Sequence, residues 1–292
     1  MHLDPRETVA GRRAQVNQGP APRRVFGELR EFLAHRRLLT TLVMNDLRYR
    51  YMGSSIGFFW TVINPIVELI TYTFVFHVLM GVEFRAHGGT VHYSLFLFCG
   101  MIAWFALADG AQRATTSIRD NHQLIKKVNF PAAVLPASMV LSAVVNQYIR
   151  FGVLGVAIIF LGTGSGAGLT YHLLTLPIFV ALQAVFVLGL GFFLATAHVY
   201  FRDTGHWVNA FFLAWMFVTP IFYPPHAYPP QFQMLLQLNP MAHIVGIYQE
   251  IILNGRFPAV RQLLFAAIFS VGSLVTGYSV FVHHRRKFAD LV

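Results

Sequence analysis

Long apolar runs, each about the length of a bilayer crossing, alternate with short polar segments along most of this chain. A spanning helix needs about 20 mostly apolar residues. Six stretches reach or approach that length: 57–80, 93–111, 132–161, 171–197, 206–222 and 263–282. The fifth is the shortest, and Pro220 is expected to end or kink it near its outer end, because proline has no N–H to continue a helix. Ahead of the first run the pattern turns amphipathic. Leu39, Leu42, Val43, Leu47 and Tyr51 share one helical face, with Thr41, Asn45 and Arg48 on the other. This predicts a helix over 38–52 lying along a membrane leaflet. The stretch 223–258 is rich in proline yet half apolar, and 231–238 and 241–254 each predict a short helix, broken at Asn239-Pro240. Irregular backbone at membrane depth persists only where protein shields it or water reaches it. The segment is therefore read as two short re-entrant or outer-surface helices capping the bundle.

Composition supports lipid as the solvent. Of 292 residues 55% are hydrophobic and 12% charged, with mean hydropathy +0.55, against about 25% charged in soluble domains. The net charge of +10 suits nucleic acid in principle, but its placement argues against that partner. Ten of the 22 Lys and Arg precede residue 57. With the six runs as crossings, eighteen fall on one side and three, Arg85, Arg256 and Arg261, on the other. Cationic loops stay in the cytoplasm, so both termini are expected there. Residues 1–30 read as a disordered basic tail near anionic headgroups, and 31–292 as one transmembrane domain. The lone Cys99 allows no internal disulfide.

Ionisable groups within membrane segments default to functional hypotheses. Thr61, Asn64, Glu68 and Tyr72 give the first run a polar face, which must look at a partner helix or a wet pathway. Glu68 and Arg150 lie at similar depths, about 18 and about 17 Å below the outer ends of their runs at 1.5 Å per residue. That permits an ion pair between them; separate exposure to a pathway is the other reading. In the fifth run Asn209, Met216, Thr219 and Tyr223 form a stripe among Phe212, Trp215, Phe217 and Phe222. Aromatic faces stack on sugar rings, and they also simply face lipid; the residues admit both. The glycine-rich run at 162–168 lacks the Lys-Ser/Thr of a phosphate loop and reads as a turn. No HExxH, GxSxG or paired catalytic carboxylates appear, so no catalytic, cofactor or metal site is assigned.

Four blocks in order carry a family resemblance. Asn45-Asp-Leu-Arg-Tyr-Arg-Tyr51 is followed by Gly53-Ser-Ser-Ile-Gly-Phe-Phe-Trp60 and Asn64-Pro65. Then come Leu124-Ile-Lys-Lys-Val-Asn-Phe-Pro131 with Pro136, Phe201-Arg-Asp203, and Thr219-Pro-Ile-Phe-Tyr-Pro224 with Asn239-Pro-Met241. From about Phe26 onward the chain resembles the membrane-spanning permease subunit of type-2 ABC exporters for lipid-linked polysaccharide, the O-antigen and teichoic-acid class. Asn45 stands where the family usually has Arg, and the long N-terminal tail is not covered.

The resemblance implies an all-α, six-span homodimer in the bacterial inner membrane, working with two copies of a separate ATPase that binds ATP and magnesium. Its expected cargo is a polyprenyl-diphosphate-linked glycan. It implies ATPase docking at 117–130, with Arg119, Asp120, His122, Lys126 and Lys127. The amphipathic helix becomes a collar around the docking site, with Arg48 and Arg50 suited to the lipid diphosphate. The first and fifth runs then line the path with Trp60, Asn64, Glu68, Tyr72, Met216, Thr219 and Tyr223. Exporters of a drug, haem or lipid on the same fold, and an ion-coupled secondary transporter, are the alternatives. No internal repeat supports the latter.

Overall fold

The computed structural model describes residues 35–50, 52–81, 83–86, 89–126, 130–161 and 170–291. Residues 1–30, Tyr51, Lys127 and the 162–168 turn, all singled out in the sequence, lie outside the described residues. The helices in chain order are α1 Arg36–Tyr49, α2 Trp60–Tyr72, α3 Tyr93–Asp120, α4 His122–Ile125, α5 Val134–Leu161, α6 Leu176–Tyr200 and α7 Thr204–Val218. They continue with α8 Gln233–Leu238, α9 Pro240–Ile252, α10 Val260–His284 and α11 Phe288–Leu291. A 3-10 turn at Gly57–Phe59 opens α2, and a π-helical stretch, Thr73–Leu79, extends it. The fold is helical as expected, with one small addition: β1 Glu83–Ala86 and β2 Gly89–His92 form an antiparallel ribbon, with Glu83 opposite His92.

Among the described residues five helices, counted with their flanking turns, are long and apolar enough to cross a membrane: Gly57–Leu79, Tyr93–Asp120, Val134–Phe160, Tyr171–Tyr200 and Val260–Lys287. The chain is a multi-pass membrane protein. α7 has 15 residues, about 22 Å at 1.5 Å each, which is shorter than the ~30 Å hydrocarbon core. The run 206–222 is thus not helical throughout. Thr219 before Pro220 is extended, at φ −85° and ψ 139°, as a residue preceding proline favours.

α3 is the central helix. Most of its length is buried, including Leu95, Leu97, Phe98, Cys99 and Ile102 at 0% exposure. α5, α6 and α9 pack on it, and α10 packs on α6. The α6–α10 crossing is built from missing side chains: a Cβ on Gly277 would lie 1.9 Å from the Gly189 carbonyl oxygen, and one on Gly189 2.2 Å from Ser273 backbone. Small residues let helix backbones approach this closely where lipid supplies no hydrophobic drive. Beside the crossing, Ser273 Oγ donates to the Phe186 carbonyl at 2.9 Å.

α8 falls within the expected 231–238, and α9 overlaps the expected 241–254 but starts one residue earlier, at Pro240. α9 is an interior element, with Met241, Val245, Tyr248 and Ile251 at 0% exposure. The Asn239-Pro240 break explains its start. Asn239 Oδ1 accepts from Met241 N at 3.0 Å as a helix N-cap, with Pro240 in the first turn. The same oxygen accepts from Trp215 Nε1 at 2.9 Å, while Asn239 Nδ2 donates to Thr219 Oγ1 at 3.0 Å. One side chain thereby ties α9 to the end of α7.

Candidate functional site

Between α1, α2, α3, α5 and α7 lies a cavity of about 370 Å³. Arg50, Asn64, Asp109, Gln112, Asn146 and Arg150 supply its polar lining; Trp104, Phe105 and Met216 are among its apolar walls. A cavity this large and this polar has room and partners for water.

A ladder of charge follows α3 along the cavity. Phe105, Asp109 and Arg113 recur every four residues, about 6 Å apart at 1.5 Å per residue, and so share one face. Arg150 lies over the Phe105 ring, 4.5 Å from its centroid, and donates to Glu68 through Nη1 at 2.5 Å and Nη2 at 3.3 Å. The two-point geometry is the one guanidinium and carboxylate favour. One step along, Arg50 Nη2 donates to Asp109 Oδ2 at 2.6 Å and Arg50 Nε to Asp46 Oδ2 at 3.3 Å. A further step on, Arg113 donates to the other oxygen of Asp46 and lies 4.0 Å from Asp109. Two acids and two arginines therefore fasten α1 to α3.

From Gln147 at the cavity wall a buried polar network runs inward. Gln147 Nε2 and Tyr248 OH each donate to Gln183 Oε1 at 2.8 Å, and Gln183 Nε2 donates to the Ala103 carbonyl at 2.7 Å. It links α5, α6 and α9 to α3 with every participating side chain buried.

The structure brings Glu68 and Arg150 together, as equal depth permitted. It does not bring Arg48 and Arg50 together: Arg48 is exposed, whereas Arg50 turns inward onto its two carboxylates. Two residues apart on a helix is about 200° of rotation, so one site cannot take both side chains from a regular helix. Of the proposed path residues, Asn64 and Met216 line the cavity. Trp60 is half-buried, with Nε1 donating to Ser54 Oγ at 3.0 Å. Tyr72 packs against the main core. Thr219 is 0% exposed and belongs to the Asn239 knot. Tyr223 OH donates to the Phe217 carbonyl at 2.5 Å.

The docking segment also differs from expectation. α3 runs on to Asp120 because Ala114, Thr115, Ser117 and Ile118 remain buried, so Arg119 and Asp120 end that long helix. Only His122–Ile125 forms a separate helix, with Lys126 at its C-cap. Asp120, His122 and Lys126 are exposed; Arg119 is half-buried. Sequence reading missed Asp46, Asp109, Arg113, Gln147 and Gln183. The signal was present as Asp46/Arg50 and Asp109/Arg113, both acid–base pairs at four-residue spacing.

Residues 37–253 match the model of the ABC-2 type transporter membrane family. The chain belongs to that family. Among its relatives is the O-antigen export system permease protein RfbA of Myxococcus xanthus, 32% identical over 266 residues, covering 90% of this chain and 98% of the relative. A Klebsiella pneumoniae protein of the same description is 26% identical, covering 87% and 95%. The polysialic acid transport protein KpsM of Escherichia coli is 21% identical, covering 82% and 90%.

Proposed function

We propose that this chain is the permease half of an ATP-driven exporter that moves a polyprenyl-diphosphate-linked, O-antigen-like polysaccharide outward across the bacterial inner membrane. The observation that carries this reading is the end-to-end likeness, 32% over 98% of an O-antigen export permease. Two copies form the channel and each engages one copy of a separate ATPase, which holds ATP and magnesium. Both termini lie in the cytoplasm, in keeping with the eighteen-to-three distribution of Lys and Arg. α7 and the extended segment after it complete a sixth crossing, with α9 as the shielded cap of the outer mouth.

In this reading the cavity is part of the path wall, between α2 and α7. Arg48 meets the lipid diphosphate from the exposed face of α1. Arg50 is held in reserve by Asp46 and Asp109, a partly exposed contact along which α1 can slide on α3. α4 and Lys126 receive the ATPase, and its closure is carried up α3 to the charge ladder. Purified permease and ATPase, reconstituted into vesicles with a lipid-linked glycan, should move that glycan in an ATP-dependent manner. Movement driven by a proton gradient without the ATPase would overturn the reading, and export of a drug, haem or free lipid in place of glycan would overturn the substrate.

A further inference from the structure

The last part of the chain folds back onto the segment assigned to ATPase docking. After α10, the turn Arg285–Lys287 leads into α11, which packs against α4 and α6. Phe288 anchors it: the side chain is 0% exposed, its ring edge-on to Phe281 with centroids 5.2 Å apart. The pair belongs to a cluster with Ile118, Leu135 and Phe192, against which Leu124 and Ile125 of α4 and Phe130 also pack. This second core is small and separate from the main one. Since α11 packs on α4, α4 and the 285–291 segment share one surface.

Arg286 and Lys287 are exposed on that surface, as are Asp120, His122, Lys126 and Asp290. We propose that the turn Arg285–Lys287 is a second contact for the ATPase subunit, continuous with α4 and fitted to an acidic patch on that partner. The inference rests on the docking reading above, since a body seated on α4 meets its packed neighbour too. A flank that only met anionic headgroups would need a helix end with snorkelling cations. It would have no use for a folded turn whose following phenylalanine is withdrawn from the leaflet into a protein core. Cationic rims of this kind chiefly set association rate and salt dependence.

The test uses full-length permease in detergent with the ATPase subunit, and reads their apparent Kd. Arg286→Glu/Lys287→Glu should weaken binding at least tenfold at low salt, with the difference from wild type narrowing in 0.5 M salt as charges are screened. Arg286→Lys/Lys287→Arg should bind as wild type. Phe288→Ala, monodisperse on gel filtration, should weaken binding by releasing the turn. Unchanged ATPase affinity of the charge-reversed variant, with loss only of retention on phosphatidylglycerol vesicles, would overturn the proposal and make the turn a lipid contact. Lys126→Glu separates the levels. If it weakens binding while the Arg286→Glu/Lys287→Glu variant does not, only the second contact is wrong. If wild type fails to bind the ATPase at all, the docking reading falls and takes the second contact with it.

Discussion

Two interhelical contacts in this molecule are made in opposite ways. α6 meets α10 through glycine, backbone against backbone, with no charge at the crossing. α1 meets α3 through Asp46, Arg50, Asp109 and Arg113, all partly exposed at 11–30%. The first has one arrangement only, because any separation forfeits dispersion contacts that nothing replaces. The second can trade each carboxylate for water or another anion at little cost, since partly exposed pairs are worth roughly 0–1 kcal/mol. Closely packed interfaces hold shape, and hydrated charged ones permit two shapes. Motion during transport is therefore expected on the α1–α3 side, with the α6–α10 rib as its fixed reference.

A second charged pair tests where the dividing line falls. Glu68 and Arg150 belong to the α3 ladder by position and are about as exposed as the cluster, 27% and 18%, but Arg150 is bonded to one carboxylate where Arg50 has two. Glu68→Gln leaves the Arg150 guanidinium without its carboxylate and should cost up to about 3 kcal/mol, the upper range for hydrogen bonds to a charged group. Replacing both, by Glu68→Gln with Arg150→Met, should recover most of that loss. Thermal unfolding of the three proteins in one detergent reads this directly. Equal loss in the single and double variants would show that the pair is not what stabilises α2 against α5.

At the rib, Gly277→Ala puts a methyl group where the Gly189 carbonyl oxygen stands. Overpacking costs about 1–3 kcal/mol and sometimes more, and here no flexible side chain can yield. The expected result is a loss of about 3 kcal/mol in the same melt, with a lower yield of folded protein. Gly272→Ala, on the same helix with open space around its Cβ position, should be neutral or better. Similar melting of the two variants would mean that the close approach does not control the rib.

How much of this was legible depends on which physical signal carried it. Five of the six expected spans, and helices near 38–52, 231–238 and 241–254, follow from apolar runs and prolines, which act locally, so they could be read before any fold was known. The family was legible in the four ordered blocks. The Glu68–Arg150 pair was legible only as a possibility, through depth. α7 was overdrawn because apolar character continues through Phe222 while the helix stops at Thr219; hydropathy does not see the backbone. The α1–α3 cluster was missed because its members are 67 and 59 residues apart, and only the bundle brings them together. Thr219 was assigned to the path for its polarity, but a buried hydroxyl bonded to Asn239 is equally polar in sequence.

The smallest expected effect on stability falls on the cluster itself, and it sharpens the contrast most. Arg50→Gln and Asp109→Asn should each cost less than about 1 kcal/mol, with a coupling in the double-mutant cycle of about 0.5–1 kcal/mol that shrinks in high salt. Asp46 remains on both arginines when Asp109 is neutralised, which buffers either single change. Export should fall far more than stability does, because the cluster connects α1 to the helix that leads to α4. A coupling above about 3 kcal/mol, insensitive to salt, would place this contact in the same class as the glycine crossing. In that case α1 and α3 could not part or slide during a transport cycle, and the division of the molecule into a fixed rib and a yielding wall would be lost.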